Sequence, residues 1–195
     1  MRQACVAGAA VAATAFTASS ASAGMSTAPN NVAARRDWRA ALLDMDRWLH
    51  LERRASKDKA IFCYYTKKGG WDARGYHAAC YLLRDVQEQK IVSMDKRLID
   101  LLYLIQAWCR VNNRPYIILI NSGYRTPEHN KRLKKSALNS QHVLGAAADI
   151  RIDGISTQEL ANIAKAIGVG GVGIYPHDGA GFVHVDVGKV RTWIG

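Results

Sequence analysis

Residues 172–187 read VGIYPHDGAGFVHVDV, two short apolar runs separated by a segment rich in glycine and polar residues. Such runs, enriched in β-branched and aromatic residues, predict strands at 172–175 and 182–187. Alternation of apolar and polar residues predicts a third strand at 147–152, and the run YIILI predicts a fourth at 116–120. Together these segments predict a small, mainly antiparallel sheet.

Segments with helical periodicity flank these strands. Residues 94–112 carry one stripe of Leu, Ile, Trp and Cys at steps of three and four, with Asp95 near the start, where it complements the helix dipole. A second helix is predicted at 157–167, with Ser156 as N-cap and Glu159 completing a capping box. Further predicted elements are a short helix within 37–46, strands at 48–51 and 61–65, a helical segment around 76–86 and a basic helical turn at 127–135. The mixture predicts an α+β domain with helices flanking the sheet.

The first residues predict an export signal. Residues 4–18 are mostly small and apolar, and the sequence ASA at 21–23 supplies the small residues that precede a cleavage site. The alternatives are an Ala-rich tail or a misplaced start site. We therefore expect an export signal at 1–23, a spacer with a short helix at 24–46, and a single domain at 47–195, with the mature protein in the periplasm or cell envelope.

Composition limits the class of protein. The chain has 195 residues, 49% of them hydrophobic, without an apolar stretch long enough to predict a membrane span, so a polytopic membrane protein is excluded. Its formal charge is +11, which favours polyanionic partners such as nucleic acid, anionic lipid or acidic wall polymers. Nucleic-acid binding is the weakest of these, because basic residues are not interleaved with aromatic ones and no recognition helix is evident.

Cysteine usage argues against a disulfide framework. Cys5 lies in the predicted leader, and Cys63, Cys80 and Cys109 form an odd set in which at most one bridge, such as Cys63 to Cys80, is possible. No CxxC pair indicates a zinc ribbon or a thioredoxin-like site. Cys80 and Cys109 lie on apolar helix faces, which is typical of small buried hydrophobic residues.

Two histidines and an aspartate are candidate metal ligands. His184 and Asp186 are two residues apart on a predicted strand and therefore share a face, in an otherwise apolar setting. Two imidazoles and one carboxylate, here His142, Asp149 and His184, form a zinc site when a fourth position is left for water. The alternative is a pair of hydrogen-bonded histidines and an aspartate that caps a turn. Three other histidines of the domain have no neighbours at ligand spacing, namely His50, His77 and His129.

Several motifs occur in an order that resembles a known family. SGYRTPEHN, SQHVLGAAADIRI, GGVGIYPHDGAGFVHVDVG and RTW are similar to the zinc murein endopeptidases of the MepK type, relatives of the D-alanyl-D-alanine carboxypeptidase-like LAS metallopeptidases. The likeness covers about residues 48–195. It implies a LAS/Hedgehog-like zinc peptidase fold, one Zn²⁺ per chain held by His142, Asp149 and His184, and an exported enzyme that hydrolyses peptide crosslinks of peptidoglycan.

The same resemblance implies roles for the residues around the metal. Arg125 matches an arginine that grips a substrate carboxylate or the developing oxyanion, and Ser122 and Tyr124 are expected to shape the same pocket. The positions at which the wider superfamily carries a catalytic His or Glu hold other residue types here, so Asp186 is nominated as the general base. Its alternative role is to orient His184. Two further candidates for the base lie in the preceding loop, His177 and Asp178.

The substrate class and an alternative function follow from these assignments. Peptidoglycan peptide stems are the expected partner, and direct diaminopimelate crosslinks, D-alanine to diaminopimelate crosslinks and terminal D-alanine all present a carboxylate to Arg125. No oligomeric state is predicted. The alternative is a catalytically inactive peptidoglycan-binding or zinc-bearing module of the same fold, because the usual base positions are not filled.

Overall fold

The described part of the chain, residues 37–133, 137, 139–177 and 179–195 of the computed structural model, is built on one eight-stranded sheet. The predicted export signal and the spacer up to residue 36 lie outside it. In chain order the elements are α1 Trp38–Leu43, β1 Arg47–Arg53, β2 Asp58–Thr66, β3 Gly70–Trp71, α2 Ala73–Leu82, α3 Lys96–Val111, β4 Ile118–Ser122, α4 Pro127–Arg132, β5 Ala147–Arg151, α5 Thr157–Ile167, β6 Gly171–Tyr175, β7 Phe182–Asp186 and β8 Arg191–Ile194. The predicted α+β class is confirmed.

The strands are ordered β3-β2-β1-β4-β5-β7-β6-β8. Neighbours are antiparallel except for β1 with β4 and β6 with β8, so the expected antiparallel character is mostly right, although the sheet is larger than expected. In the β5–β7 pair, Asp149 lies directly opposite His184 and Ala147 opposite Asp186. The register therefore brings two candidate ligands from distant parts of the chain side by side.

Strand alternation separates the core from the polar site. Val183 and Val185 of β7 belong to the hydrophobic core together with Ala148 and Ile150 of β5. The residues between them point to the opposite face, because successive side chains of a strand alternate. That face carries His184, Asp186 and Asp149. The sheet thus rests on a packed layer and presents its polar residues away from it.

The long helices are capped largely as the sequence predicts. The Asp95 side chain accepts a hydrogen bond from the backbone N–H of Arg97 at the start of α3, which buries most of its residues, and Ser156 accepts one from Glu159 at the start of α5. The carboxylate of Glu159 pairs with Arg114 at 2.7 Å rather than completing the capping box. α5 ends at Gly168, whose φ of +73° is the left-handed conformation that favours glycine.

Several element boundaries differ from the sequence prediction. β4 begins at residue 118 instead of 116, because its pairing with β1 starts at Ile118. α2 begins at residue 73, where Asp72 caps it by accepting from the N–H of Gly75. β3 and β8 were not predicted: β3 has only two residues, and β8 is mostly exposed and has no apolar face.

The cysteines of the described residues are all present as thiols. Cys80 and Cys109 are buried, as expected, and all three thiols of the domain are free, so the structure contains no Cys63–Cys80 bridge. Burial raises the pKa of Cys109 to about 11, which keeps it a neutral thiol. Within the described residues, no helix combines the length and apolar character that crossing a bilayer requires.

Candidate metal centre

Three side chains converge on one point of the polar sheet face. Nε2 of His142 lies 3.1 Å from Oδ1 of Asp149 and 3.1 Å from Nδ1 of His184, and that Nδ1 lies 3.0 Å from the same Oδ1. All three residues are buried. Within the described ranges they are the only three His, Cys, Asp or Glu residues placed to share a metal ion.

A backbone carbonyl sets the orientation of His142. Its Nδ1 lies 2.6 Å from the carbonyl oxygen of Gly123. A carbonyl only accepts hydrogen bonds, so Nδ1 carries the proton and Nε2 presents a lone pair to the site. Gly123 can lie there because it has no side chain: a Cβ would be 2.2 Å from the carbonyl oxygen of Leu83.

A carboxylate sets the orientation of His184. Its Nε2 lies 3.0 Å from Oδ2 of Asp186, so Nε2–H donates to that oxygen and Nδ1 presents its lone pair to the site. Asp186 is 0% exposed, and it also accepts from the backbone N–H groups of Gly171 and Gly188 and from Arg191. The carboxylate lies on the side of the His184 ring away from His142 and Asp149. This arrangement favours the orienting role over that of a general base.

Two imidazole lone pairs and a carboxylate oxygen therefore meet about 3 Å apart, and three acceptors at this distance repel one another unless a positive charge lies between them. In a tetrahedral zinc site, ligand bonds of about 2.0–2.2 Å place ligand atoms about 3.3–3.6 Å apart. The donor set and its spacing fit such an ion after a small outward shift. Burial alone would lower the pKa of His184, but its hydrogen bonds to the carboxylates of Asp149 and Asp186 raise it.

Arg125 holds the other oxygen of Asp149. Its Nη2 donates to Oδ2 of Asp149, and its Nε donates to Oγ of Ser122 at 2.8 Å. Burial alone would raise the pKa of Asp149, but His142, His184 and Arg125 hold it well below its ordinary value. Asp149 therefore stays a carboxylate and offers Oδ1 as a ligand.

A cleft of about 560 Å³ opens above these residues. Its described lining residues are Arg125, Leu133, Ala137, Asn139, Ser140, Gln141, His142, Asp149, Tyr175, Phe182, His184, Arg191 and Trp193. Asp149 is the only carboxylate among them. Tyr124 is not among the residues that line the cleft. It is half-buried and packs against the core, and its backbone N–H donates to the carbonyl oxygen of Leu83. His177 is exposed and also lies outside this lining, and Asp178 lies outside the described residues.

The sequence assigns no role to several residues that support the site, although RTW at 191–193 is among the motifs of the resemblance. One wall of the cleft comes from Arg191 and Trp193 of β8, a strand that has no apolar pattern. Another support is the buried Asp85, which accepts from Nδ1 of His129 at 2.8 Å and from the N–H of Thr126 at 2.9 Å. The sequence assigns His129 no role, because it has no neighbours at ligand spacing. Its four-residue distance from Arg125 was the available signal that it fixes the segment carrying that arginine.

Comparison with known proteins identifies a family that matches most of the chain. The family profile described as peptidoglycan L,D-endopeptidase MepK matches residues 42–193, which is most of the chain. The match includes every residue of the metal centre and of the cleft wall. No solved structure matches the chain.

Curated relatives carry the same description. The peptidoglycan L,D-endopeptidase MepK of Escherichia coli strain K12 is 36% identical over 132 residues, which cover 63% of this chain and 70% of that protein. The probable peptidoglycan L,D-endopeptidase MepK of Haemophilus influenzae is 35% identical over 119 residues, which cover 59% of this chain and 62% of that protein. The matched stretch thus spans less than two thirds of the Haemophilus protein.

Proposed function

The chain belongs to the peptidase family described as peptidoglycan L,D-endopeptidase MepK, and from that premise we propose that it is a zinc-dependent murein endopeptidase that hydrolyses peptide crosslinks of peptidoglycan. The observation that carries the zinc assignment is the meeting of three buried acceptor atoms at the floor of an open cleft. The substrate assignment is supported by the activity for which the relatives are named and by a net charge of +11, which suits an anionic wall polymer.

His142, Asp149 and His184 hold the ion, and their partners fix them in the required form. When bound, zinc supplies a Lewis acid that polarises the scissile carbonyl and lowers the pKa of a water ligand to about 7. Gly123 and Asp186 keep the protons on the outer nitrogens of the two imidazoles, which leaves the inner nitrogens as ligands. Arg125 keeps Asp149 ionised.

Arg125 has a second role in this proposal. Ser122 and Asp149 occupy two of its five N–H groups, and the guanidinium lines the cleft. Its remaining N–H groups are available to a scissile carbonyl bound in the cleft, and stabilising the negative charge that develops on the carbonyl oxygen would lower the barrier to hydrolysis. Ser122 fixes the guanidinium in this orientation.

Asp186 is assigned the role of orienting His184. A carboxylate that already accepts from an imidazole, an arginine and two backbone N–H groups has little capacity to take a proton from water. These contacts hold its pKa well below the ordinary value, even though burial alone would raise it. His177 and Asp178, which lie between β6 and β7 in the sequence, stay the candidates for the general base.

The location follows from the substrate. Peptidoglycan lies outside the inner membrane, so the proposed activity requires export, and residues 1–23 have the composition of an export signal. We assign the mature protein to the periplasm or cell envelope. Its partners are the peptide stems of the wall.

The test combines metal content with product analysis on the protein from Gly24 onward. Mass spectrometry should find one zinc per chain, and sacculi digested with this protein should lose crosslinked muropeptide dimers unless a chelator is present. His184→Ala should abolish both zinc and hydrolysis, whereas His77→Ala, at an exposed position of α2, should change neither. Zinc binding without any released product would instead support the peptidoglycan-binding module, and a chain without zinc that still hydrolyses would refute the metal mechanism.

A further inference from the structure

A second arginine lines the cleft beside the metal centre. Arg191, on β8, donates from Nη2 to Oδ2 of Asp186 at 2.8 Å and from Nη1 to the carbonyl oxygen of Lys189 at 2.9 Å. A weaker contact joins Nη1 to Oδ1 of Asp186 at 3.3 Å. Its Nε–H and one Nη2–H have no partner among the described residues. The guanidinium is therefore fixed in place and retains two donors.

β6, the strand next to β8, has glycine at the two positions that the side chains of Arg191 and Trp193 cross. A Cβ at Gly171 would lie 2.5 Å from Oδ2 of Asp186 and 2.6 Å from Nη1 of Arg191. A Cβ at Gly173 would lie 2.6 Å from the indole of Trp193. Glycine at these two positions of β6 therefore leaves room for Arg191 and Trp193 to cross β6 and reach β7.

Trp193 forms the adjoining wall and limits how Arg191 can move. The indole lies against the His184 ring, with 5.2 Å between ring centroids, and the Arg191 guanidinium stands 4.9 Å from the centre of the Trp193 ring. Nε1 of Trp193 donates to the hydroxyl of Tyr175 at 2.9 Å. The result is a rigid aromatic wall with one cation at its edge.

The two arginines of the cleft differ in what they offer to a ligand. Arg125 is bound to Asp149, and its side chain is only 15% exposed, whereas the side chain of Arg191 is 44% exposed. Arg191 is separated from the three acceptor atoms by the His184 ring and the Asp186 carboxylate. A group bound there would lie near the reacting amide without touching the metal ligands.

We propose that Arg191 is a specificity-determining residue that binds a free carboxylate on the residue flanking the scissile amide. This inference rests on the proposed function and narrows its substrate class to peptides with an anionic residue at that position. A planar guanidinium with two donors directed into a cleft matches the two oxygens of a carboxylate. Arg125 then holds Asp149 and stabilises the charge on the scissile carbonyl oxygen, and it does not bind the flanking carboxylate.

The test uses two synthetic crosslinked peptides that are identical except for one group. In one the carboxylate next to the scissile amide is free, and in the other it is a neutral amide. The wild type should cleave the free-carboxylate peptide with a kcat/KM about 10- to 100-fold higher, mainly through a lower KM. Arg191→Gln should remove that preference, Arg191→Lys should restore part of it, and Lys189→Gln, which removes an exposed neighbouring cation, should keep it.

The outcomes separate the inference from its premise. If the wild type cleaves neither peptide under conditions in which it binds zinc, the proposed function fails, and the inference with it. If the wild type cleaves both equally, or if Arg191→Gln keeps the preference within twofold, the proposed function survives and the role of Arg191 is refuted. Equal losses on both peptides, accompanied by loss of zinc from Arg191→Gln, would assign the residue only to holding Asp186 and would also overturn the inference.

Discussion

Replacing Asp85 by Asn tests whether the polar cluster beneath the Arg125 segment maintains the metal centre. Asp85 is 1% exposed, and the two oxygens of its side chain accept four hydrogen bonds. Oδ1 accepts from the N–H groups of Gln87 and Glu88 at 3.0 and 3.2 Å, and Oδ2 accepts from the N–H of Thr126 and from Nδ1 of His129. One carboxylate thus joins the segment after α2 to the start of α4.

The magnitude follows from counting the donors that lose an acceptor. An asparagine amide keeps one oxygen and replaces the other by an NH₂ group. In one orientation the N–H groups of Gln87 and Glu88 both face another donor, and in the other the N–H of Thr126 does, while His129 can accept through its other tautomer. A buried donor without an acceptor costs about 1–3 kcal/mol, so Asp85→Asn should lower the free energy of unfolding by about 1–6 kcal/mol. Displacing the segment should also weaken zinc binding, because that segment carries Arg125 and the carbonyl of Gly123.

Urea unfolding at pH 7, followed by tryptophan fluorescence, measures the first effect, and competition with a chelator measures the second. Asp153→Asn is the matched control, because this carboxylate forms an exposed ion pair with Arg54, and such pairs contribute about 0–1 kcal/mol. If the two variants unfold within 0.5 kcal/mol of each other, as a rough margin given typical surface effects, the cluster does not stabilise the fold as argued. Unchanged zinc affinity in Asp85→Asn would refute its connection to the metal centre.

Three further outcomes are expected. Asp186→Asn should weaken zinc binding about 10- to 100-fold in a chelator competition, as loss of an orienting carboxylate does; unchanged affinity with lost turnover would instead make Asp186 the general base. Gly173→Ala should lower the free energy of unfolding by about 1–3 kcal/mol in urea and shift the tryptophan emission, because its Cβ would overlap the Trp193 indole; an unchanged spectrum would contradict that packing. Burial alone would raise the pKa of Asp85, but hydrogen bonds from Thr126 and His129 lower it below its ordinary value. The ionised carboxylate therefore stabilises the fold above the pKa of the unfolded state, and this stabilisation is lost as the pH falls through the lower pKa of the folded state. The difference between wild type and Asp85→Asn in urea should therefore be largest near neutral pH and shrink below about pH 4, and a difference that grows in acid would show the opposite shift.

The sequence predicts the polar face of the sheet because strands have a period of two. His184 and Asp186 alternate with valines, and the three small residues at 146–148 lead into Asp149, so one face is apolar and the other carries the titratable groups. This pattern is local and can be seen without the fold. It also shows that His184 and Asp186 share a face, which is the basis for both roles considered for Asp186.

The choice between those roles depends on contacts that the pattern does not contain. The carboxylate of Asp186 accepts hydrogen bonds from the backbone N–H groups of Gly171 and Gly188 and from Arg191. Gly171 and Arg191 reach it through the pairing of β6 with β7 and β8. The carbonyl of Gly123, which fixes His142, belongs to the main chain, so no residue type reveals it. Tertiary pairing, and not local propensity, determines these contacts.

RTW at 191–193 is among the motifs of the resemblance, but the sequence assigns Arg191 and Trp193 no role, for a related reason. Arg191 and Trp193 belong to a short, mostly exposed strand whose residues resemble an ordinary surface segment. Their approach to His184 depends on Gly171 and Gly173 of β6. The sequence places Gly173 in a predicted strand but does not show why that strand needs glycine there. The requirement becomes visible only when the parallel β6–β8 register places Gly173 beside Trp193.

The proposed zinc ligands come from a loop and from β5 and β7, which are adjacent only in the finished sheet. An unfolded chain has no means of presenting His142, Asp149 and His184 together, so a zinc ion held by these residues would bind the native state almost exclusively. Binding of this kind adds RT ln(1 + [L]/Kd) to the free energy of unfolding, or about 2.7 kcal/mol when free zinc exceeds its Kd a hundredfold. The melting temperature of the protein should then report the zinc supply of its compartment, and under metal starvation the enzyme would lose resistance to unfolding and proteolysis together with its activity.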